Sequence, residues 1–357
     1  MNNWADKLDD ELIEKNQLNI INIPAAKQNF IFWLKASLVN RFLTYFNPSW
    51  LPIKYVAYAS NKRSWQLMQY LKGINFSYNH IEAHTLGALY PAYNWAKKSG
   101  KLFTFDVEDF HPEEKITFQP VREKQRRIRL MKHLLIEAKL VTAASPLIAE
   151  TTSKLIKKNV ITINNSFFYD EFFKPNFNLT YDKVKLIWFS ITISYGRGLE
   201  ELIVACQNIR ASIQLDLIGN VDKKFYDEFI LPNLDFISII EPIPQNELHQ
   251  KLRDYDVGLA LEMASADFNR NICLTNKLFA YAQSGLYIMA TDTAAQKQFL
   301  SKYSLLGKVC EQNNESMERL LLKICDDIEK IRFSKLNRFD FAKKISFEEE
   351  MKKIDFA

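Results

Sequence analysis

At 357 residues the chain is too long for one ordinary hydrophobic core and asks for two domains. With 47% hydrophobic and 25% charged residues it has the balance of a folded globular protein, which excludes a disordered or fibrous chain. The net charge of +5 permits an anionic ligand or an anionic membrane surface and gives no reason to expect nucleic acid.

Cys206, Cys273, Cys310 and Cys325 are scattered and form no C-x-x-C pair, so neither a disulfide framework nor a metal knuckle is expected; a reducing, cytoplasmic setting fits. The opening stretch MNNWADKLDDELIEKN is acidic and polar, unlike a signal peptide. Phe30–Val39 is apolar, but it contains Lys35 and is far too short to span a bilayer.

In chain order, Trp4–Asn16 reads as a helix or polar lead-in and Leu18–Ile23 as a strand. Phe30–Phe46 carries apolar residues at helical spacing, Tyr55–Ser60 reads as a short strand and Ser64–Leu71 as a helix. Tyr78–Ala83, Lys101–Val107, Leu140–Ala143 and Val160–Ile163 read as strands. The helices Thr85–Ser99, Arg122–Lys139 and Pro146–Lys157 alternate with them, and that alternation predicts a parallel sheet. Helix 122–139 is rich in Arg and Lys, and an anionic membrane surface is its candidate partner. Its aromatics do not interleave with cations as a nucleic-acid stacking platform would. Two loops leave the carboxyl ends of strands, where open α/β sheets bind ligands. One holds His84. The other, FDVEDFH, ends at His111, whose imidazole can exchange a proton with a hydroxyl near neutral pH. Asp106, Glu108 and Asp109 lie beside it as an acidic cluster.

After the polar, aromatic stretch Phe168–Lys183, the second half repeats the alternation. Strands are expected at Lys185–Phe189, Ile213–Ile218, Phe236–Ile240 and Asp256–Leu261, with helices at Leu199–Ile209 and Gln245–Tyr255. The loop SITISYGRG places Arg197 between Gly196 and Gly198, just before a helix. Met263–Cys273 reads as a loop. In Asn271–Asp292, NICLTNKLFAYAQSGLYIMATD, Thr275 reads as an N-cap, Gly285 as the helix stop and Leu286–Thr291 as a buried strand. The helix start, with Lys277 beside it, suits a diphosphate. Asn314–Ile331 and part of Asp340–Ile354 close the chain as helices.

Asn276, Lys277, Leu278, Phe279, Tyr281, Gly285, Thr291 and Asp292 together resemble the donor-site segment of the GT-B glycosyltransferases, in particular the family-4-like group. Gly196-Arg197-Gly198-Leu199-Glu200 resembles a second donor segment of that group, in which a basic residue binds the pyrophosphate. The resemblance implies an α/β chain of two Rossmann-like, doubly wound domains. Residues 1–170 would form the acceptor-side domain, with helix 340–356 packing back on it. A linker would follow at 171–183 and the donor domain at 184–339. It also implies transfer of a sugar from a nucleotide-sugar to a glycan or lipid-linked acceptor, with retention and in cell-surface polysaccharide or glycoconjugate synthesis. No cofactor and no metal would be needed. The implied donor contacts are Gly196, Arg197, Gly198, Ile243, Asn271, Leu274, Thr275, Asn276 and Lys277; the implied catalytic groups are His111 and Glu262. Three departures stand out. Ala280 and Ile272 occupy positions where many members carry glutamates, and the first βαβ unit is absent or altered. Glu262, Asp267 and Asn271 are the residues that could replace the missing acids, and spacing does not choose among them. A non-catalytic GT-B-like partner subunit and a GT-B nucleotide-sugar epimerase are the alternative readings. The expected location is cytoplasmic, with attachment at the inner membrane face as its extension.

Overall fold

The structure, a computed structural model, describes residues 13, 17, 19–24, 26–72, 78–175 and 182–354. Of these, residues up to Ile163 together with Asp267–Asn269 form one compact unit, and Asn164–Ala266 with Arg270 onward form the other.

The first unit opens with three helices, α1 (Phe30–Leu43), α2 (Ile53–Ser60) and α3 (Lys62–Leu71). Asn29 Oδ1 accepts from Phe32 N–H at 3.0 Å and Asn61 Oδ1 from Arg63 N–H at 2.9 Å, so α1 and α3 each start on a side-chain cap. Next come β1 (His80–His84), α4 (Thr85–Ser99), β2 (Leu102–Val107), α5 (Pro120–Leu134), β3 (Leu140–Ala143), α6 (Pro146–Ile156) and β4 (Ile161–Thr162). The strands lie in the order β1-β2-β3-β4, each neighbouring pair parallel. Phe103, Phe105, Val107, Val141 and Ala143 fill the sheet's core.

Several expectations for this half are corrected. Tyr55–Ser60 is helix, because Val56, Ala57, Tyr58 and Ala59 are buried in succession, which a strand with one wet face does not allow. Residues 19–23 of the expected strand Leu18–Ile23 have no regular structure, and Leu18 lies outside the described residues. Trp4–Asn16 also falls outside them, apart from Ile13. The basic helix ends at Leu134 and passes into a 3₁₀ turn, Leu135–Glu137. Among the described residues no strand precedes β1, in keeping with the altered first βαβ unit.

The second unit holds β5 (Val184–Ile193), α7 (Leu199–Cys206), β6 (Ile213–Val221), β7 (Ile237–Ile240), α8 (Gln245–Leu252) and β8 (Val257–Ala260). These are followed by α9 (Phe268–Ile272, shared at its start with the first unit), α10 (Asn276–Gln283), β9 (Tyr287–Thr291), α11 (Ala294–Lys302), β10 (Gly307–Cys310) and α12 (Asn314–Asp326). The parallel sheet runs β10-β9-β8-β5-β6-β7. The chain enters at β5, builds outward to β7, then crosses to β8 and builds the other way. Neighbouring β5 and β8 thus form a topological switch point, and the loops at their carboxyl ends open the crevice where such sheets bind ligands. Trp188, Leu186, Leu215, Leu217, Val257, Leu259 and Met289 lie in the core, as apolar strands covered on both faces should.

Three details differ from expectation here. The stretch Met263–Cys273 contains α9, and α11 and β10 follow β9 without having been anticipated. Asn314–Ile331 is two helices, since α12 stops at Asp326 and α13 (Ile328–Phe333) begins anew. The chain closes with α14 (Lys335–Phe341) and α15 (Phe347–Met351). Arg338 on α14 is buried and donates to Gly285 O and Ile331 O. Glu350 on α15 accepts from Asn164 N–H at 2.9 Å and Nδ2 at 3.0 Å.

His249 on α8 gives this unit a pH dependence. Its ring stacks on Phe172 at 4.3 Å and meets Phe167 edge-on at 4.6 Å. Nδ1 lies 3.2 Å from Glu171 Oε2 without hydrogen-bond geometry. Burial lowers the imidazole pKa to about 4. The unfolded chain therefore binds a proton that the folded chain refuses, between about 6.5 and about 4. Stability is full above that window and falls as pH drops through it, by up to about 3 kcal/mol at its lower end. Urea unfolding of wild type and His249→Phe at pH 7 and pH 4.5 should show the larger loss in wild type; equal losses would rule out this origin.

Candidate functional site

At the switch point, β8 leads through Leu261 into Glu262, which is 2% exposed. Its backbone is fixed by Thr291 at the end of β9. Thr291 Oγ1 accepts from Glu262 N–H at 2.8 Å and donates to Glu262 O at 2.6 Å. Gln296 Nε2 donates to Thr291 Oγ1 and O, both at 3.1 Å, and holds that hydroxyl in turn. The Glu262 carboxylate faces two cations. Arg270 Nη1 donates to Oε2 at 2.6 Å, and Lys277 Nζ stands 3.4 Å from Oε1, an ion pair without a hydrogen bond.

Lys277 lies in the first turn of α10, and its ammonium sits 4.8 Å above the Trp188 ring on β5. Burial pulls its pKa below the ordinary lysine value. Glu262 opposes that pull, while the positive charges of Arg197 and Arg270 add to it. Two cations therefore share a single carboxylate with the charge of Arg197 acting on Lys277 as well, and a bound anion would relieve their repulsion.

Arg197 comes from the loop after β5. Gly196 and Gly198, with φ of 74° and 78°, set that loop in the left-handed region. A Cβ on Gly198 would lie 3.3 Å from Leu261 Cβ and from Met263 Sδ, so the glycine lets the loop close against the segment that carries Glu262. Glu200 Oε1 accepts from Gly196 N–H at 2.6 Å, which satisfies a donor at the start of α7. Among the described residues Arg197 itself makes no hydrogen bond or salt bridge.

The other donor-site candidates take varied places. Thr275 occupies the N-cap of α10 as expected, yet its hydroxyl makes no cap bond; Oγ1 is buried and without a hydrogen-bond partner among the described residues. Asn276 is exposed beside it and Leu274 is buried. Asn271 on α9 accepts from Ala294 N–H at 2.9 Å, a structural bond that ties α9 to the start of α11. Ile243 is half-buried in the loop after β7. Asp267 belongs to the first unit, where Oδ2 accepts from Lys115 N–H at 3.3 Å, and Glu262 is the candidate that pairs with both Arg270 and Lys277. Ala280 and Ile272 are buried and apolar. Arg270 and Trp188 were not anticipated. Arg270 lay in a stretch read as loop, and Trp188 read only as a core residue.

His111 lies in the first unit, in a 3₁₀ turn after β2, and is 7% exposed. Its Nδ1 stands 3.4 Å from Glu114 Oε1, and Nε2 is buried without a hydrogen-bond partner among the described residues. Burial alone would raise the Glu114 pKa, but His111 and Arg127 outweigh it and hold that carboxyl below its ordinary value. Beside it, Asn269 bridges Phe110 N–H and Asp109 Oδ1, at 2.7 Å each.

No metal ligands were expected, yet His84, Asp106 and Glu108 bring ligand atoms within 4.8 Å of one another, a set that could hold a metal ion. The register that pairs β1 with β2 sets His84 opposite Asp106, a juxtaposition that spacing along the chain does not reveal. Burial raises the Asp106 pKa, with Thr142 and His84 pulling the other way.

No family model matches the chain, and no curated protein does. Solved structures do. Sucrose-phosphate synthase from Thermosynechococcus elongatus is similar with a TM-score of 0.64 at 14% identity, over 85% of this chain and 78% of that one. HepE from Anabaena, solved in complex with UDP, is similar with a TM-score of 0.59 at 12% identity, over 82% and 80%. A glycosyltransferase from Rickettsia africae gives 0.57 at 12% identity, over 99% and 86%. The two parallel sheets are thus those of two Rossmann-like units of the kind found in GT-B glycosyltransferases.

Proposed function

We propose that the chain is a glycosyltransferase that takes a sugar from a nucleoside-diphosphate donor and passes it to a glycan or lipid-linked acceptor. The observation that carries this reading is the pairing of Arg270 and Lys277 with one buried carboxylate at the switch point of the second sheet, with the charge of Arg197 acting on Lys277. Glycosyl transfer separates charge toward an oxocarbenium-like sugar and a departing diphosphate. Cations already fixed in a buried site stabilise that leaving group without reorganising. Arg197 and Lys277, with the start of α10, would hold the diphosphate, and Glu262 would meet the sugar. In this reading the three cations neutralise the diphosphate without a metal, and no cofactor beyond the donor is used. Retention of configuration and a role in surface polysaccharide or glycoconjugate synthesis remain part of the proposal through the sequence resemblance.

A non-catalytic subunit is the second reading, favoured by the buried Ala280 and Ile272, which leave the ribose and the sugar without the usual carboxylates. Thermal shift against UDP, GDP, ADP, CMP and dTDP separates the two, because a ligand stabilises the fold it binds. One nucleotide that raises the melting temperature of wild type, combined with sugar transfer, supports the enzyme. Failure of all five, in a folded protein, supports the subunit.

Glu262→Gln divides binding from chemistry. Removing the charge that occupies Arg270 and Lys277 should leave nucleotide binding intact or tighten it. Transfer should fall by about a hundredfold or more, the loss typical of removing one charged group from a transition state. Unimpaired turnover would remove Glu262 from the chemistry.

A further inference from the structure

We infer that the first unit docks on an anionic lipid surface through the outward face of α1 and the turn that follows it. This names a partner for the proposed enzyme, but it stands on a face in the other unit from the cation cluster.

The helix α1, FIFWLKASLVNRFL, is apolar on both sides. Ala36 and Leu43 are buried against the unit. Phe30, Ile31, Leu38, Phe42 and Tyr45 are each 60–66% exposed, and Trp50 is 80% exposed. Ile31, Leu34, Leu38, Phe42 and Tyr45 recur at three- and four-residue spacing, so they line one stripe. Phe118 and Val121 of the neighbouring segment are exposed as well, and the Arg41 guanidinium lies 4.5 Å from the Phe118 ring. Such a continuous apolar surface marks a contact with something.

Charge chooses the occupant. Between Gln17 and Ile81 the sequence contains no Asp or Glu, while it carries Lys27, Lys35, Arg41, Lys54, Lys62, Arg63 and Lys72. Lys27, Lys35, Arg41 and Lys54 are exposed around the apolar stripe. A segment with exposed apolar and aromatic residues, exposed cations and no acid in its own sequence complements anionic headgroups above acyl chains. Exposed Trp50 and Tyr45 suit the headgroup level. The geometry is that of a helix lying flat. At 14 residues α1 is about 21 Å long, short of the roughly 30 Å hydrocarbon core. Among the described residues no helix is long and apolar enough to cross a membrane.

The basic helix α5, the sequence's candidate for this role, has five of its cations engaged within the unit. Arg126 is buried on Glu123 and Thr44 O, Arg127 pairs with Glu114 and Glu123, and Arg129 donates to Pro48 O and Leu51 O. Arg122 reaches Tyr45 O and Lys124 pairs with Glu113.

The test is co-sedimentation of the full chain with phosphatidylcholine vesicles, with and without phosphatidylglycerol. Wild type should bind the mixed vesicles, more weakly as salt rises. Lys35→Gln with Lys54→Gln should weaken that binding about thirtyfold, the effect of two basic side chains near a charged surface. Leu38→Ser with Phe42→Ser should weaken binding at every salt concentration. All four positions are exposed, and an unchanged nucleotide-induced thermal shift shows that each variant keeps its fold and its other site. If no nucleotide gives a shift even in wild type, the unfolding midpoint in urea takes over that control, so vesicle binding is judged apart from the proposed enzyme activity. Wild type that ignores phosphatidylglycerol, or a serine variant that binds as wild type does, overturns the proposal. So does a concentration-dependent dimer abolished by Leu38→Ser with Phe42→Ser, which would assign the face to a second copy.

Discussion

Lys277→Ala should lower nucleoside diphosphate affinity by about a hundredfold and leave the unliganded protein close to wild type in stability. The affinity loss follows from burial. A charge-assisted bond contributes about 1.5–3 kcal/mol, and screening by water is weak where the residue is 8% exposed. The unliganded protein loses little because the Lys277 ammonium is held below its ordinary pKa by burial and by two neighbouring cations. Glu262 also keeps Arg270 at 2.6 Å after the substitution, so no buried charge is orphaned. Arg197→Ala should cost less, about tenfold, because that side chain is half-buried and more open to water. In the double variant transfer should vanish. The lowered pKa has a further sign: as pH rises, Lys277 loses its charge before an ordinary lysine would, and nucleotide affinity should decline with it. Isothermal titration with the nucleotide found by thermal shift measures all three effects. Wild-type affinity in Lys277→Ala would displace the site from α10.

The largest loss of stability should come from Gly258→Ala. Gly258 lies in β8, and the ring of Tyr281 rests where its side chain would be: an added Cβ would stand 2.1 Å from Tyr281 Cγ. Both residues are wholly buried, so neither can swing into solvent. Overpacking of a tight core costs about 1–3 kcal/mol and sometimes more, and a clash this close belongs at the upper end. The damage reaches the site, because Tyr281 is one turn after Lys277 on α10 and a displaced ring moves the helix that carries the ammonium. Stability and nucleotide binding should therefore fall together. Gly258→Ala with Tyr281→Leu, which removes ring atoms, should restore part of both. Urea unfolding in which Gly258→Ala matches wild type would mean that the strand and helix are not packed this way.

How much of this the sequence disclosed depended on whether the information was local. Strands of a parallel sheet are covered on both faces, so KLIWF, DVGLAL and LYIMAT declare themselves as apolar runs. Gly-Arg-Gly before a helix and Asn-Lys at a helix start are local signals, and both lie at the second sheet's switch point. The neighbourhood of Trp188, Glu262, Arg270 and Lys277 was not local. It exists because β5 pairs with β8, which brings residues 188 and 262 to one crevice across more than seventy positions of chain. The same holds for His84 and Asp106, which meet only through strand register. Tyr55–Ser60 misled because a short apolar run suits a strand or a buried helix alike, and packing around α2 buries four residues in a row. Thr275 had the right position, but no hydrogen-bond partner meets its hydroxyl.

The acid-free stretch from Gln17 to Ile81 also bears on handling the protein in water. Without lipid, the exposed face of α1 is a sticky surface restrained mainly by mutual repulsion of its lysines and arginines. Salt screens that repulsion over about 10 Å at 0.1 M. Raising the ionic strength should therefore drive copies of the chain into open-ended aggregates, with no defined dimer among them, while it releases them from charged vesicles. One apolar face would then answer the same salt in opposite directions, and a stock kept in high salt would be the one to precipitate.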